Sequence, residues 1–310
     1  MTSSDCLARF RENDRFLILT HARPDGDALG SGAALCSALR RAGKAAFLYP
    51  NPQIGAQFAD LTAPYLAPAD YVPGFVIAVD TADAKLLAEG WTGEVQLCID
   101  HHPSNTGYAS ETLLNAGCAC CGEIILALIE QMHGAPTQEE AVLLYVALAT
   151  DTGCFQHSNA NANAHRAAAR LIEAGADAGL LNRRLFCVSA ARLRLEGMIF
   201  SSLRIFHGGK TAFAVVTQQM MQACGAQEDD CDDLATLAGR LRGVEVYITI
   251  REREDGRCRV SARSAGETDV CALCRRFGGG GHVKASGCTI EDSSDNAVEL
   301  LLKALEEQTA

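Results

Sequence analysis

Along residues 16–151, short apolar runs bounded by charge or turn residues alternate with longer stretches whose apolar positions recur at helical spacing. FLILT (16–20), AAFLY (45–49), FVIAV (75–79) and VQLCI (95–99) are apolar throughout and too short for helices. That is the pattern of strands covered on both faces in a parallel sheet. Between the first two, Leu29, Leu35 and Leu39 share one side of a predicted helix that stops at Gly43. Thr137 and Glu140 stand at capping-box spacing ahead of AVLLYVALAT, whose all-round apolarity predicts a buried helix. Strand–helix alternation of this kind predicts an open α/β sheet.

Over 182–199 the pattern changes to a charged helical stretch, NRRLFCVSAARLRLEGMI, which reads as a connector. Beyond it come LRIFH and TAFAVVT, helical segments, and then VEVYITIRE and GRCRVSARS, joined at Glu254-Asp255-Gly256 by a hairpin signal. The expected organisation is a first domain over 1–185, a helical linker over 186–200 and a smaller α+β domain over 201–310. No internal repeat or low-complexity segment interrupts this plan.

Composition narrows the function. The chain has 310 residues, 48% hydrophobic and 21% charged, enough for two packed domains. Its formal charge of −11 disfavours long duplex nucleic acid, which is held by many basic contacts to phosphate, but allows a small nucleotide held by one cationic site. No run approaches the ~20 apolar residues of a membrane helix, and residues 1–14 are too charged for a secretory signal. Fourteen cysteines without such a signal predict free thiols in a reducing, cytoplasmic setting.

The chemistry collects where strands end. The first strand runs into His21-Ala22-Arg23-Pro24-Asp25-Gly26-Asp27, where Pro24 and Gly26 force a tight loop and His21, Asp25 and Asp27 converge. The third strand ends in Asp80-Thr81-Ala82-Asp83, the fourth in Asp100-His101-His102, and the apolar helix in Thr150-Asp151-Thr152-Gly153. In open α/β sheets, ligands bind outside the carboxyl ends of the strands. Taken singly, an Asp after a strand is usually a cap or turn residue, and a His-His pair is usually surface loop. Taken together, Asp25, Asp27, Asp80, Asp100 and Asp151 in one crevice would repel unless about two divalent cations offset them. Mixed carboxylate and imidazole ligands suit Mn²⁺, with Mg²⁺, Zn²⁺ and Fe²⁺ as alternatives. A carboxylate bridging two metals about 3.5–4 Å apart is an arrangement of two-metal phosphoester cleavage.

HARPDGD, the Asp after the third strand, DHH at 100–102 and ATDTGCF together resemble the four motifs of the DHH phosphoesterase superfamily. Arg259-Val260-Ser261-Ala262-Arg263-Ser264, followed by Phe277-Gly278-Gly279-Gly280-Gly281-His282, resembles the DHHA1 domain. The likeness spans almost the whole chain, in order, and is strongest to the oligoribonuclease and nucleotide-phosphatase subgroup. It implies a parallel-sheet DHH domain, a smaller α+β DHHA1 domain and an active site in the cleft between them. It further implies that His21 and Asp25 hold one metal and that Asp27, His101 and Asp151 hold the other. Asp80 would bridge the pair, Asp100 would orient a histidine, and His102 would face the phosphate or the leaving oxygen. Two divalent ions, Mn²⁺ first and Mg²⁺ second, would activate a bridging water. Arg263, Ser264, Gly279, Gly280, Gly281 and His282 would bind substrate, with Arg275 and Arg276 ranked behind them.

The expected substrates are short RNA oligonucleotides and adenosine 3′,5′-bisphosphate (pAp). Signalling dinucleotides such as c-di-AMP, pApA or pGpG are the alternative, and a silent nucleotide-binding protein is the alternative of another class. A processive DNA nuclease would need an added basic domain, and the family's pyrophosphatases carry a Ser-Arg-Lys-Lys-type motif that this sequence lacks. Cys118-x-x-Cys121 and Cys271-x-x-Cys274 lie too far apart for a zinc ribbon and read as small hydrophobes in helical stretches. His157 follows the fourth motif closely enough to approach the site. The apolar helices of the first domain offer a surface for a homodimer.

Overall fold

The computed structural model, which describes residues 1–231 and 234–309, places the chain in two units that divide between Cys187 and Val188. In the first unit, α1 (Ser3–Glu12) leads into β1 (Phe16–Leu19), α2 (Gly26–Arg41), β2 (Ala46–Leu48) and the single turn α3 (Ala59–Thr62). β3 (Phe75–Val79), β4 (Leu97–Asp100) and β5 (Glu111–Leu114) follow, then α4 (Cys121–His133), α5 (Gln138–Asp151), α6 (Ala162–Glu173) and α7 (Ala178–Phe186). The strands are all parallel, in the order β2-β1-β3-β4-β5. β1, β3 and β4 are buried along their whole length, as their uninterrupted apolar runs require.

The sequence pattern does not disclose β5. Its residues Glu111 and Thr112 are half-exposed at the sheet edge, and Glu111 receives the Arg9 guanidinium of α1 at 2.8 and 2.9 Å. α5 opens with the expected capping box: the Glu140 amide donates to Thr137 Oγ1 at 3.2 Å, and the Thr137 amide donates to the Glu140 carboxylate at 2.8 Å. Nine residues of α5 are buried, among them seven consecutive from Leu143 to Ala149, so α4 and α5 spend their apolar faces inside the unit's own core.

The second unit starts with α8 (Ala190–Ser201), capped by Ser189, and continues through β6 (Arg204–Phe206), β7 (Thr211–Val216) and α9 (Gln218–Cys224). β8 (Val246–Glu252), β9 (Cys258–Ser264), α10 (Val270–Arg275), β10 (Gly280–His282), β11 (Ala285–Ile290) and α11 (Ser294–Thr309) complete it. The sheet order is β10-β11-β9-β8-β7-β6, with β7 and β8 parallel and every other pair antiparallel. Gly256, at φ 79°, makes the turn between β8 and β9. The charged stretch read as one connector is two helices. α7 ends at Phe186, and α8 buries Leu195 and Ile199 among Ala212, Ala214 and Val216 of the second unit. Residues 190–201 are therefore a packed element of that unit, because Leu195 and Ile199 sit four apart on one helical face.

Candidate active site

In the first sheet the chain passes from β1 out to β2 and returns on the other side of β1 at β3, so the switch point lies between β1 and β3. At such a point the crevice outside the carboxyl ends receives ligand. β1 delivers His21 and the Asp25–Asp27 turn there, β3 delivers Asp80, and the next strand, β4, delivers Asp100, His101 and His102. α5 adds Asp151 as its last residue. Two glycines let these elements meet. A Cβ at Gly26 would strike the Thr150 side chain at 2.5 Å, and one at Gly30 would strike the backbone of Leu143, so α2 lies directly against α5.

The expected ligands fall into two groups, His21, Asp25 and Asp80, and Asp27, His101 and Asp151; His102, expected to face the phosphate, makes a third group with Asp80 and His101. His101 Nε2 lies 3.3 Å from Asp80 Oδ1, 3.8 Å from Asp27 Oδ2 and 3.9 Å from Asp151 Oδ2. His21 Nε2 lies 3.8 Å from Asp25 Oδ1 and 3.9 Å from Asp80 Oδ2. Asp80 thus presents one oxygen to each histidine. Its backbone is held at φ 52°, a left-handed conformation costly for a side-chain-bearing residue, by an amide bond to Ile99 O at 3.0 Å.

Other contacts fix the ligand atoms. Asp27 Oδ2 accepts from the Cys121 amide at 2.7 Å, and Oδ1 accepts from the Gly122 amide at 3.0 Å and Ser31 Oγ at 2.9 Å, so the N-terminus of α4 holds this carboxylate. His101 Nδ1 faces the Cys118 carbonyl at 3.4 Å, which assigns its proton there and leaves the Nε2 lone pair directed inward. Asp100 accepts from both following amides and from His102 Nδ1 at 2.8 Å, while Asn105 donates to its other oxygen at 2.6 Å. Asp100 is fully engaged as an orienting group, which frees His102 Nε2. Asn159 donates to Asp151 Oδ2 at 3.1 Å, and His157 Nδ1 lies 3.1 Å from the Asp151 carbonyl.

Charge is badly balanced here. Burial, followed by repulsion from neighbouring carboxylates, pushes Asp27 and Asp80 well above the usual carboxylate range, and burial raises Asp151. At Asp100 burial is outweighed by the His102 and Asn105 hydrogen bonds, and at Asp25 by the bond to His21 and two amides, so both are held low. Asp80 Oδ1 and His101 Nε2 are buried without a hydrogen-bond partner. A buried carboxylate oxygen and imidazole nitrogen facing each other at 3.3 Å, each without a hydrogen-bond partner among the described residues, fit a shared divalent cation.

The substrate-binding residues expected in the second unit occupy two strands. Arg263 and Ser264 end β9, and Gly280, Gly281 and His282 form β10. The glycine run is not a flexible loop. Gly280 pairs with Gly287 and Gly281 with Ser286 of β11. A Cβ at Gly279 would strike the Gly287 carbonyl, and one at Gly281 would meet the Ala285 carbonyl at 2.6 Å. Close strand packing thus demands glycine at these two positions. Arg276 is tied to Glu307 and to the Ala304 carbonyl of α11, whereas the Arg263 side chain makes, among the described residues, only a 3.1 Å hydrogen bond to the Ala262 carbonyl.

Of the two Cys-x-x-Cys pairs, Cys118 lies in the turn before α4 rather than in a helix, because the chain there delivers the Cys121 and Gly122 amides to Asp27. All fourteen cysteines are free of disulfide bonds. Ser31, Asn105, Asn159 and the two α4 amides escaped the sequence reading. Asn105, three residues beyond the His pair, is the one that proximity could have flagged.

An α/β sheet with such a cluster at its switch point belongs to the class of metal-dependent hydrolases. Residues 15–150 match the DHH family N-terminal domain and residues 212–310 match the DHHA1 domain. The chain is 31% identical over 294 residues to the bifunctional oligoribonuclease and PAP phosphatase NrnA of Thermus thermophilus, covering 94% of this chain and 89% of that one. It is 28% identical to the NrnA of Bacillus subtilis, covering 89% and 90%. An exopolyphosphatase-related protein from Bacteroides fragilis shares the fold at a TM-score of 0.86 and 23% identity, covering 98% and 96%. The chain belongs to the DHH family of phosphoesterases with a C-terminal DHHA1 domain, and is a hydrolase of phosphoester bonds. No helix among the described residues is long and apolar enough to cross a membrane.

Proposed function

We propose that this enzyme hydrolyses short oligoribonucleotides to mononucleotides and converts pAp to AMP. The observation that carries the reading is the pair of partnerless buried atoms, Asp80 Oδ1 and His101 Nε2, inside a ring of carboxylates and imidazoles. The substrate choice rests on likeness along nearly the whole chain to proteins named for these two activities.

In this reading His21 and Asp25 would hold one divalent ion, Asp27, His101 and Asp151 would hold a second, and Asp80 would serve both. The donor set favours Mn²⁺, with Mg²⁺ as the alternative. Bound there, the ions lower the pKa of a water and offset the charge of the attacked phosphate. The chain does the rest. The α4 amides and Ser31 fix Asp27, and Asn159 fixes Asp151. Asp100 accepts a hydrogen bond from His102 Nδ1, which leaves Nε2 free to meet a phosphate or leaving oxygen. In the second unit, Arg263, His282 and the glycine strand grip a further phosphate, whereas the expected Ser264 is buried on the opposite strand face and donates to the Gly266 carbonyl at 3.2 Å.

The test offers the purified chain with Mn²⁺ a ladder of short RNAs, pAp, pApA, pGpG and cyclic dinucleotides, with products separated by chromatography. Mononucleotides from the shortest RNAs and AMP from pAp are expected. Cleavage confined to signalling dinucleotides would replace this reading. No cleavage of any of them, with metal bound, would leave a binding protein.

A further inference from the structure

The outer face of the second sheet carries an open groove of about 640 Å³. Along β9, Cys258, Val260 and Ala262 are buried, so strand alternation turns Arg259, Ser261 and Arg263 to the other face, where all three line the groove. Their partners across the β9–β11 ladder are Thr289, Gly287 and Ala285. From β9 to the β11 side, the floor between the two arginines therefore bears only Ser261 and Gly287, with Ala285 and Thr289 at its ends.

The arginines around this groove divide sharply. Arg251 and Arg253 share the Glu228 carboxylate, and Arg257 pairs with Asp255. Arg259 makes no ion pair or hydrogen bond among the described residues, and Arg263 meets only a main-chain carbonyl. In a chain of net charge −11, two guanidinium groups on one face without an ion pair among the described residues are conspicuous, with Glu228, held by Arg251 and Arg253, the acid near Arg259.

Four residues of strand separate Arg259 from Arg263, about 13 Å along β9. That exceeds the reach from the 5′- to the 3′-phosphate of one nucleotide and suits phosphates further apart along an extended backbone. A floor of small residues lets such a backbone lie flat, and no aromatic side chain lines the groove to stack a base.

Resting on the function proposed above, we infer that Arg259 forms a second phosphate subsite on the β9–β11 floor, beyond Arg263, which holds the backbone of oligonucleotides longer than a dinucleotide without regard to base. Arg263 serves every substrate, and Arg259 adds affinity only when a further phosphate reaches it. Length preference then arises within the second unit from two arginines on one strand.

Equilibrium binding to the full chain in chelator, where turnover is absent, tests this. The probes are a fluorescein-labelled A₅ RNA and, by competition, pAp. Arg259→Ala is expected to weaken A₅ binding about tenfold and to make its log–log salt dependence shallower by about 0.7. The effect on pAp should be several times smaller. Arg259→Lys keeps the charge and should keep the salt slope. Equal weakening of both probes, or of neither, overturns the subsite, as does a wild-type chain that fails to bind A₅. Far-UV circular dichroism checks that the exposed substitution leaves the fold intact. Parallel turnover of A₅ with Mn²⁺ separates the two proposals. Tight, Arg259-dependent binding without hydrolysis sinks the oligoribonuclease reading alone, and hydrolysis indifferent to Arg259 sinks the subsite alone.

Discussion

The two units gather charge in opposite ways. The first buries carboxylates against one another, with Asp27, Asp80 and Asp100 each no more than 4% exposed and Asp80 held in a left-handed backbone. The second leaves Arg259 and Arg263 on an open strand face without an ion pair among the described residues. Like charges that are buried need a counter-ion of fixed geometry, and moving any member disturbs all of them. Like charges on an exposed face are screened and act nearly independently. Changes in the first unit should therefore abolish chemistry, whereas changes in the second should tune binding.

The sharpest attempt to break this contrast is Asp80→Asn, since Asn tolerates the left-handed backbone and keeps the shape. Turnover with Mn²⁺ is expected to fall by more than about a hundredfold, beyond what losing an orienting neighbour of a ligand costs. Circular dichroism should be unchanged. Undiminished turnover with undiminished bound metal, measured by elemental analysis, would refute the placement of Asp80 between two ligand groups.

Asp100→Asn should cost less, about ten- to a hundredfold in kcat. Asp100 touches no ligand group and acts through His102 Nδ1 and two amides. Metal content should stay at the wild-type value. Its loss alongside kcat would show that Asp100 belongs to the metal centre itself.

Arg263→Ala moves to the other side of the comparison. We expect KM to rise about tenfold with a smaller change in kcat, the signature of lost ground-state binding. If kcat falls more than KM rises, Arg263 acts on the transition state, and the division between chemistry and binding fails at that residue.

How much of this was legible depended on where information sits in a chain. β1, β3 and β4 announced themselves because each is buried on both faces and so must be apolar. β5 did not, because an edge strand with a charged partner can afford Glu111 and Thr112. The acidic and imidazole residues were readable because their clustering at strand ends has no bland explanation. Ser31, Asn105 and Asn159 were not, since a generic polar side chain acquires its role only from what tertiary packing brings to it. The α4 amides that hold Asp27 have no side-chain signature at all. The glycines of β10 were visible as a run, but whether a run is a hinge or a tightly packed strand depends on the partner carbonyls of β11. Arg259 and Arg276 look equally basic in sequence, and only Glu307 beside the latter separates them.

The smallest effect tests the physical cause of the contrast rather than its consequence. Burial, then the charges of Asp25, Asp100 and Asp151, raise the Asp80 carboxyl, so the folded metal-free chain holds a proton that the unfolded chain releases. The sign follows from linkage: with more protons bound in the folded state, stability falls as pH rises from the ordinary carboxylate range through the raised value. Asp80→Asn removes the titrating charge and, because no hydrogen bond holds Asp80 Oδ1, sacrifices little. In chelator at about pH 8, where the wild-type carboxylate is pressed toward ionisation, the variant is expected to melt about 2–4 °C above the wild type. That gap should close as pH is lowered and Asp80 takes up its proton. Mn²⁺ should reverse the order, because only the wild type gains the full stabilisation of bound cations. Arg263→Ala, on the open face, should leave Tm within about 1 °C throughout. A variant melting below the wild type in chelator at every pH would mean that the carboxylate cluster is compensated without metal, and the distinction drawn between the two units would lose its electrostatic basis.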